Sequence, residues 1–373
     1  MSKKHKKQPK LSGFDKFKSQ LVEFVSVLRP NSLAKKIALW VVIIIATPTF
    51  AMYGVAQWYI YTQKDVPLTM GATFVPNYAR YFDLDPKEVF GEMINDLGLK
   101  RFRLVSYWKD MERTPGVYDF EELDWQFAMA EEAGVEISLA IGLRQPRWPE
   151  CHGPDWAMAK PMSEWSVDLK NFMGVVIDRY KASPSLVEYQ LENEFFLSVF
   201  GECPDFSRDR LIDEFNFVKA RDPDHPVIIS RSNNAIGLPL NEPTPDKYAV
   251  SIYKRVWDKT LTKRYFEYPF PAWFYAGLAG GSQILQDRDL FIHELQTEAW
   301  LPEGMSMKTA PVEELYKSLS PERLKHRIDY GVATGMRTID MWGVEWWYHM
   351  KTKRGAPELW DTAKVELERL RDN

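Results

Sequence analysis

From residue 66 onward, short β-rich runs alternate with longer amphipathic ones, and this alternation limits the fold more than any other feature. The candidate strands are 68–74, 101–108, 136–142, 186–194, 227–231, 248–253, 290–294 and 338–342. Between and after them the pattern predicts helices over 86–97, 122–133, 163–181, 207–220, 272–285, 320–334 and 358–370. Their ends carry chemical signals. Asp85 before Pro86 and Ser320 before Pro321 pair a polar cap with a proline in the first turn, Ser163 and Ser207 stand as caps, and Gly98, Gly134 and Gly335 follow helix ends. The fifth connection, 235–246, is Pro-rich and predicts little helix. Eight β-α units in series imply an α/β chain with a parallel sheet. Eight is also the number that closes a (β/α)8 TIM barrel, and residues 66–373 are enough for one with loop insertions. A doubly wound sheet would usually place a glycine-rich phosphate turn after its first strand. Gly71-Ala-Thr-Phe-Val-Pro76 is no such turn.

The first 63 residues follow different rules. Residues 1–36 carry ten Lys/Arg against Asp15 and Glu23, and residues 37–63 carry no Asp, Glu, Lys or Arg. A net charge of −4 therefore divides into a tail of +8 and a remainder of −12. An acidic domain argues against nucleic acid, whose binding needs Lys/Arg at phosphates. The charge-free run is long enough to cross a bilayer as a helix, which takes about 20 apolar residues. Lys35 and Lys36 precede it, so the positive-inside rule puts the N-terminus in the cytoplasm and residues 66–373 outside. Trp58, Tyr59 and Tyr61 fall where an interfacial aromatic belt would lie. Pro48 is tolerable in such a helix. A cleaved signal peptide is the alternative, with Thr49-Phe-Ala51 as a poor cleavage site. Both readings export the domain. Within the tail, Phe14, Phe17, Leu21, Phe24, Val25 and Leu28 recur at helical spacing beside Lys16 and Lys18. That pattern reads as an amphipathic helix over 11–28, lying on the cytoplasmic leaflet or against a partner protein.

A TIM barrel does its chemistry at the C-terminal ends of its strands. Strand four ends Tyr189-Gln-Leu-Glu-Asn-Glu194, strand six Ser251-Ile-Tyr253, strand seven Ile292-His-Glu294 and strand eight Met341-Trp-Gly343. Glycosidic cleavage needs a carboxylic acid to protonate the leaving oxygen, and a second carboxylate as nucleophile or as base for water. Glu194 and Glu294 close strands four and seven, on opposite sides of the mouth, and are the candidates. Asn193 is placed to bond a sugar 2-hydroxyl, and Tyr253 and Arg103 to hold a carboxylate ionised. Fourteen Trp exceed what a core needs, and sugar C–H faces stack on such rings. Trp342 is the first candidate platform, with Trp108, Trp148, Trp300 and Trp346 behind it. Trp125, Trp165 and Trp360 fall on predicted helices and read as packing.

At these residues the chain resembles a clan A glycoside hydrolase, the superfamily that includes the family 5 cellulases and the family 39 and 42 enzymes. Asn193-Glu194 resembles the clan's acid/base motif, and Glu294 its nucleophile position. Arg103 to Trp108, Glu112, Pro115-Gly-Val-Tyr118 and Leu123-Asp124 resemble the family 42-like signature after strand two. Trp342-Gly343 with Trp346 resembles the clan's strand-eight tryptophan. The resemblance covers about residues 68–370 and implies retaining hydrolysis by two carboxyls about 5–5.5 Å apart, without giving the substrate; β-linked glycans are the reading adopted. The usual Pro after Asn-Glu is Phe195 here.

Rival readings accompany these candidates. Glu192 competes with Glu194, and Glu298 with Glu294; Glu345 reads equally as a substrate-binding or a surface residue. The six His form no H-x-H or H-E-x-x-H pair, so neither metal nor cofactor is expected. His293 reads as a hydrogen-bonding neighbour of Glu294. Cys151 and Cys203 fall in the loops after strands three and four, which are neighbours on one face, and outside the cytoplasm they would pair. The reading is a membrane-anchored, extracytoplasmic retaining glycosidase acting on oligo- or polysaccharide. A non-catalytic carbohydrate-binding barrel is the alternative, and oligomeric state stays open.

Overall fold

The computed structural model describes residues 33–371, apart from 198, 204–205 and 233–240. The amphipathic segment 11–28 and most of the basic tail lie outside the described residues, as do residues 235–240 of the Pro-rich fifth connection. The chain forms two compact units, Met1–Gly54 and Val55–Asn373. One helix, α1 (Leu33–Gln63), contributes to both. In the first unit its apolar side chains are exposed, among them Ile37, Trp40, Ile44, Ile45 and Phe50. The span Lys36–Gln63 is long and apolar enough to cross a membrane.

The second unit runs, in chain order, β1 (Thr69–Thr73), α2 (Pro76–Tyr81), α3 (Pro86–Asn95), β2 (Arg101–Val105), α4 (Trp108–Met111), α5 (Glu121–Ala133), β3 (Glu136–Ile141) and α6 (Asp155–Met158). It continues with α7 (Met162–Tyr180), β4 (Leu186–Leu191), α8 (Arg208–Arg221), β5 (Val227–Ser232), β6 (Lys247–Ile252), β7 (Arg255–Trp257), β8 (Tyr265–Glu267), α9 (Ala272–Gln286) and β9 (Asp289–Gln296). It ends with α10 (Val312–Ser318), α11 (Pro321–Ala333), β10 (Thr338–Trp342), α12 (Val344–Lys353) and α13 (Glu358–Arg371). Among the described residues, eight parallel strands close a barrel in the order β1-β10-β9-β6-β5-β4-β3-β2. The seam is the parallel pairing of β1 with β10, Thr69 opposite Thr338. The fold is a TIM barrel, and β9 and β10 are its seventh and eighth strands.

Several predicted caps form. Asp85 accepts the Lys87 amide at 3.0 Å, and Ser207 and Ser320 cap α8 and α11. Ser163 does not act as a cap: α7 starts one residue earlier, after Pro161, and Ser163 lies in its first turn. Strands two and four end three residues short of the predicted limits, at Val105 and Leu191. At strand four the cause is local, because Glu192 and Glu194 adopt left-handed backbone (φ 53° and 43°) that an extended strand excludes.

The barrel floor is held by charge. Arg101 donates to Asp340 at 3.2 Å and pairs with Glu188, which Lys247 also reaches at 3.0 Å. Gly71 leaves room for this, since a Cβ there would lie 2.3 Å from Asp340 Oδ1. The end of α1 belongs to this unit. Ala56 and Tyr59 are buried, and Val55, Tyr59 and Ile60 lie against Gly280 and Gly335, glycines whose missing side chains permit the approach. Arg337 donates to the carbonyls of Val66 and Lys64 at 2.7 and 3.1 Å. Tyr59 is thus a packing residue of the barrel and not part of an interfacial belt; Trp58 and Tyr61 are exposed.

Candidate active site

Glu294 stands on β9 and Glu194 just beyond β4, with β5 and β6 between them. Strand β6 serves both. Ser251 and Tyr253 are two residues apart, the spacing that puts side chains on one face. Ser251 donates to Glu194 Oε1, and Tyr253 donates to Glu294 Oε2 at 2.6 Å. Arg103, buried on β2, donates from Nη2 to Glu294 Oε1 at 2.6 Å. Its Nε is fixed on Thr73 Oγ1 at 2.9 Å, and its Nη1 on Gln190 Oε1 at 3.0 Å. Each Glu294 oxygen therefore accepts a hydrogen bond, one from a guanidinium and one from a phenol. Burial, then the nearby Glu294, raises the Tyr253 phenol well above its usual range and keeps it a donor.

Glu194 is held differently. Burial first, then the charge of Glu294, lifts its pKa to about 8, against the opposing hydrogen bond from Ser251. Its backbone amide donates to Ser230 Oγ at 2.9 Å, fixing the left-handed turn. Behind Ser251 stands His293, kept neutral by burial and by Arg103 and Arg101. His293 Nδ1 faces the Arg103 guanidinium, which only donates, so the ring proton sits on Nε2 and reaches Ser251 Oγ at 2.9 Å. A line of donors thus runs from Arg103 through His293 and Ser251 to Glu194. Glu192 lies beneath and is structural: it accepts the amides of Leu143 and Arg144 at 2.6 and 2.9 Å and pairs with Arg210 at 3.0 Å.

The two carboxylates open on a cleft of about 1300 Å3 lined also by Tyr78, Arg147, Trp148, Glu150, Asn193, Trp300 and Trp342. The hairpin β7–β8 borders it, with Asp258 accepting three backbone amides of its turn. Trp148 is 60% exposed at the rim. Trp342 is covered on one side by Arg147, whose guanidinium lies 4.3 Å from its ring centre and 3.3 Å from that of Tyr78. Cys151 and Cys203 form a disulfide between the loops after β3 and β4.

Not every expected platform reaches the cleft. Trp108 is fully buried, donates to Glu112 Oε2 at 2.7 Å and packs near Phe172. Glu112 also accepts the Gly116 amide at 2.7 Å and so braces the turn around Pro115. Trp346 is fully buried in the core, because α12 turns that face of the chain inward. Both leave the candidate substrate contacts. Arg103 is likewise outside the cleft lining and acts through Glu294. Glu345 is neither a surface nor a cleft residue: it accepts the Val75 amide at 2.8 Å and lies 3.8 Å from Arg147. Glu298 accepts from Tyr78 and from Arg147 at 3.0 Å. The sequence reading missed Tyr78, Arg147, Glu150 and Ser251. Only Ser251 carried a usable signal, since it shares the strand face of Tyr253. Among the described residues no group of His, Cys, Asp and Glu is placed to hold a metal ion.

No family model and no curated protein matches the chain. Solved structures do. A β-galactosidase from the haloarchaeon Halorubrum lacusprofundi is 16% identical, with a TM-score of 0.55 over 82% of this chain and 58% of that one. The β-galactosidase of Marinomonas ef1 is 12% identical, with a TM-score of 0.54 over 82% and 60%. A GH5_18 protein from Bifidobacterium longum subsp. longum is 10% identical, with a TM-score of 0.56 over 82% and 80%. The likeness is one of fold, a TIM barrel shared with these solved glycosidase structures. The chain spans about three-fifths of the length of the two β-galactosidases it matches.

Proposed function

We propose that the barrel is a retaining glycosidase for β-linked glycans, with Glu294 as nucleophile and Glu194 as general acid/base. The observation that carries this reading is the opposite treatment of two buried carboxylates in one cleft. Glu294 takes charged and phenolic donors, while Glu194 is raised toward a protonated state at neutral pH. A carboxyl held protonated near neutral pH beside a second carboxylate is suited to the acid role. In the first step Glu194 gives its proton to the leaving oxygen as Glu294 attacks the anomeric carbon. In the second, ionised Glu194 takes a proton from the water that cleaves the glycosyl-enzyme ester. Asn193 and the aromatic rim position the sugar.

The neighbours named above act on galactosides or belong to GH5_18, and a β-linked hexoside is the first substrate class to try. Membrane attachment is part of the same reading: the exposed apolar stretch of α1 suits a bilayer, and a disulfide persists outside a reducing cytosol. Aryl β-glycosides test the chemistry. Glu294→Gln abolishes turnover and keeps sugar binding; Glu194→Ala regains turnover on activated substrates with azide. Near-normal hydrolysis by Glu294→Gln rejects the assignment. A wild-type protein that binds glycans with no hydrolysis is instead a non-catalytic carbohydrate-binding barrel.

A further inference from the structure

A third carboxylate in the cleft has no part in the two-step mechanism. Glu150 lies in the loop after β3 and is buried, yet it borders the same cleft as Glu194 and Glu294. Its Oε2 accepts from Asn193 Nδ2 at 3.0 Å. The Asn193 carbonyl oxygen in turn accepts from Gln190 Nε2 at 2.9 Å, so the amide orientation is fixed from both ends. The backbone of Glu150 is over-determined. It takes left-handed φ (72°), its amide donates to the Arg147 carbonyl at 2.9 Å, and its carbonyl accepts from the Gln145 amide at 2.8 Å. Gly201 lets the opposing loop close on it, since a Cβ there would lie 2.8 Å from Glu150 Cβ. The disulfide begins at the next residue. Non-glycine left-handed backbone held this firmly clusters at functional sites.

We propose that Glu150 is a positioning residue of this site, which orients the Asn193 amide toward the substrate and adds the field of a third carboxylate to the Glu194–Glu294 pair. The inference rests on the glycosidase reading and extends it to a residue that need not touch the reacting atoms. The groups that face Glu150 are Glu294 from β9, Glu194 just beyond β4, Arg103 from β2, Tyr107 from the segment after β2, and Arg144 from its own loop, with Asn193 bonded to it. Burial is the first cause of its raised pKa, about 7, and its charge is among the causes that raise Glu194.

The test compares Glu150→Gln with Glu150→Ala. Gln keeps an acceptor for Asn193 and removes the charge, so the basic limb of the kcat/KM profile moves to lower pH while kcat is largely retained. Ala also frees Asn193, and kcat/KM falls roughly ten- to a hundredfold, with Gln recovering most of it. Unchanged pH limbs in Glu150→Gln, with equal kcat/KM in both variants, overturn the proposal. If Ala does not fold, the limb in Gln decides alone. If the wild-type protein hydrolyses no glycoside, the enzyme reading fails separately, and infrared titration of the protonated carboxyl band assigned by Glu194→Gln decides the role of Glu150. A midpoint that moves to lower pH in Glu150→Gln supports the field; a fixed midpoint overturns it.

Discussion

A carboxyl that titrates near 8 makes a definite claim about pH. In the proposed role Glu194 must carry its proton to act as an acid, so kcat/KM is expected to fall as pH rises through about 8. Ser251 works against the elevation, because its hydrogen bond favours the charged form. Ser251→Ala therefore moves the basic limb to higher pH, opposite in sign to Glu150→Gln; a limb that moves down in Ser251→Ala is inconsistent with this geometry. The same shift bears on stability. A folded pKa raised above the unfolded value of about 4.5 gives a contribution that is full below that pH and is lost as pH rises through about 8. Glu194→Gln should then melt higher than wild type at pH 9 and show less change between pH 5 and 9 by calorimetry. The cleft positions of Glu194, Glu294, Asn193 and Tyr253 were legible in the sequence because each falls near the C-terminal end of a predicted strand at the barrel mouth. Glu150 and Arg147 were not, because they stand in a loop whose path depends on left-handed residues, Arg147 and Glu150 among them, and on a disulfide 52 residues long. Trp108 and Trp346 misled for the reverse reason: a tryptophan near a strand end reads the same whether it faces sugar or core.

Loops and turns are the elements that shape this cleft, and two of them depend on single small features. The disulfide Cys151–Cys203 closes a span of 52 residues, worth up to about 4 kcal/mol in the chain-entropy account. Because it joins the loop of Glu150 to the loop after Glu194, reduction is expected to raise KM as well as lower Tm, measured with and without dithiothreitol. A fall in Tm with unchanged KM would confine the bond to a structural role. Gly142 is the second feature. Its φ is 104°, and a Cβ there would lie 2.4 Å from Glu192 Oε1. Gly142→Ala combines backbone strain with displacement of the carboxylate that holds the Leu143 and Arg144 amides, a cost of about 1–3 kcal/mol or more. Urea unfolding measures it. The strand–helix alternation announced the barrel, since period and caps are local. The hairpin β7–β8 was invisible, as three-residue strands leave no period to read.

At the scale of the whole chain, the question is where the apolar span that is long enough to cross a membrane stops and the barrel begins. Composition alone draws the line after residue 63, where charge resumes. Packing draws it earlier. From Val55 onward α1 is part of the barrel unit, with Ala56 and Tyr59 buried and Gly280 and Gly335 cleared to receive it. Ile37 to Gly54 is then the charge-free stretch left for a bilayer, 18 residues or about 27 Å of helix at 1.5 Å per residue, close to a hydrocarbon core of about 30 Å. The division predicts different outcomes for two truncations. A chain beginning at Val55 leaves the membrane fraction and melts like the barrel of the full chain. A chain beginning at Val66 also leaves the membrane, but it exposes the surface that Tyr59 and Ala56 cover, a loss of about 3 kcal/mol or more. Gly280→Leu in the longer truncation should reproduce much of that loss, because its side chain takes the space of Val55. Equal melting of the two truncated chains would return the boundary to residue 63 and leave Tyr59 to the membrane interface.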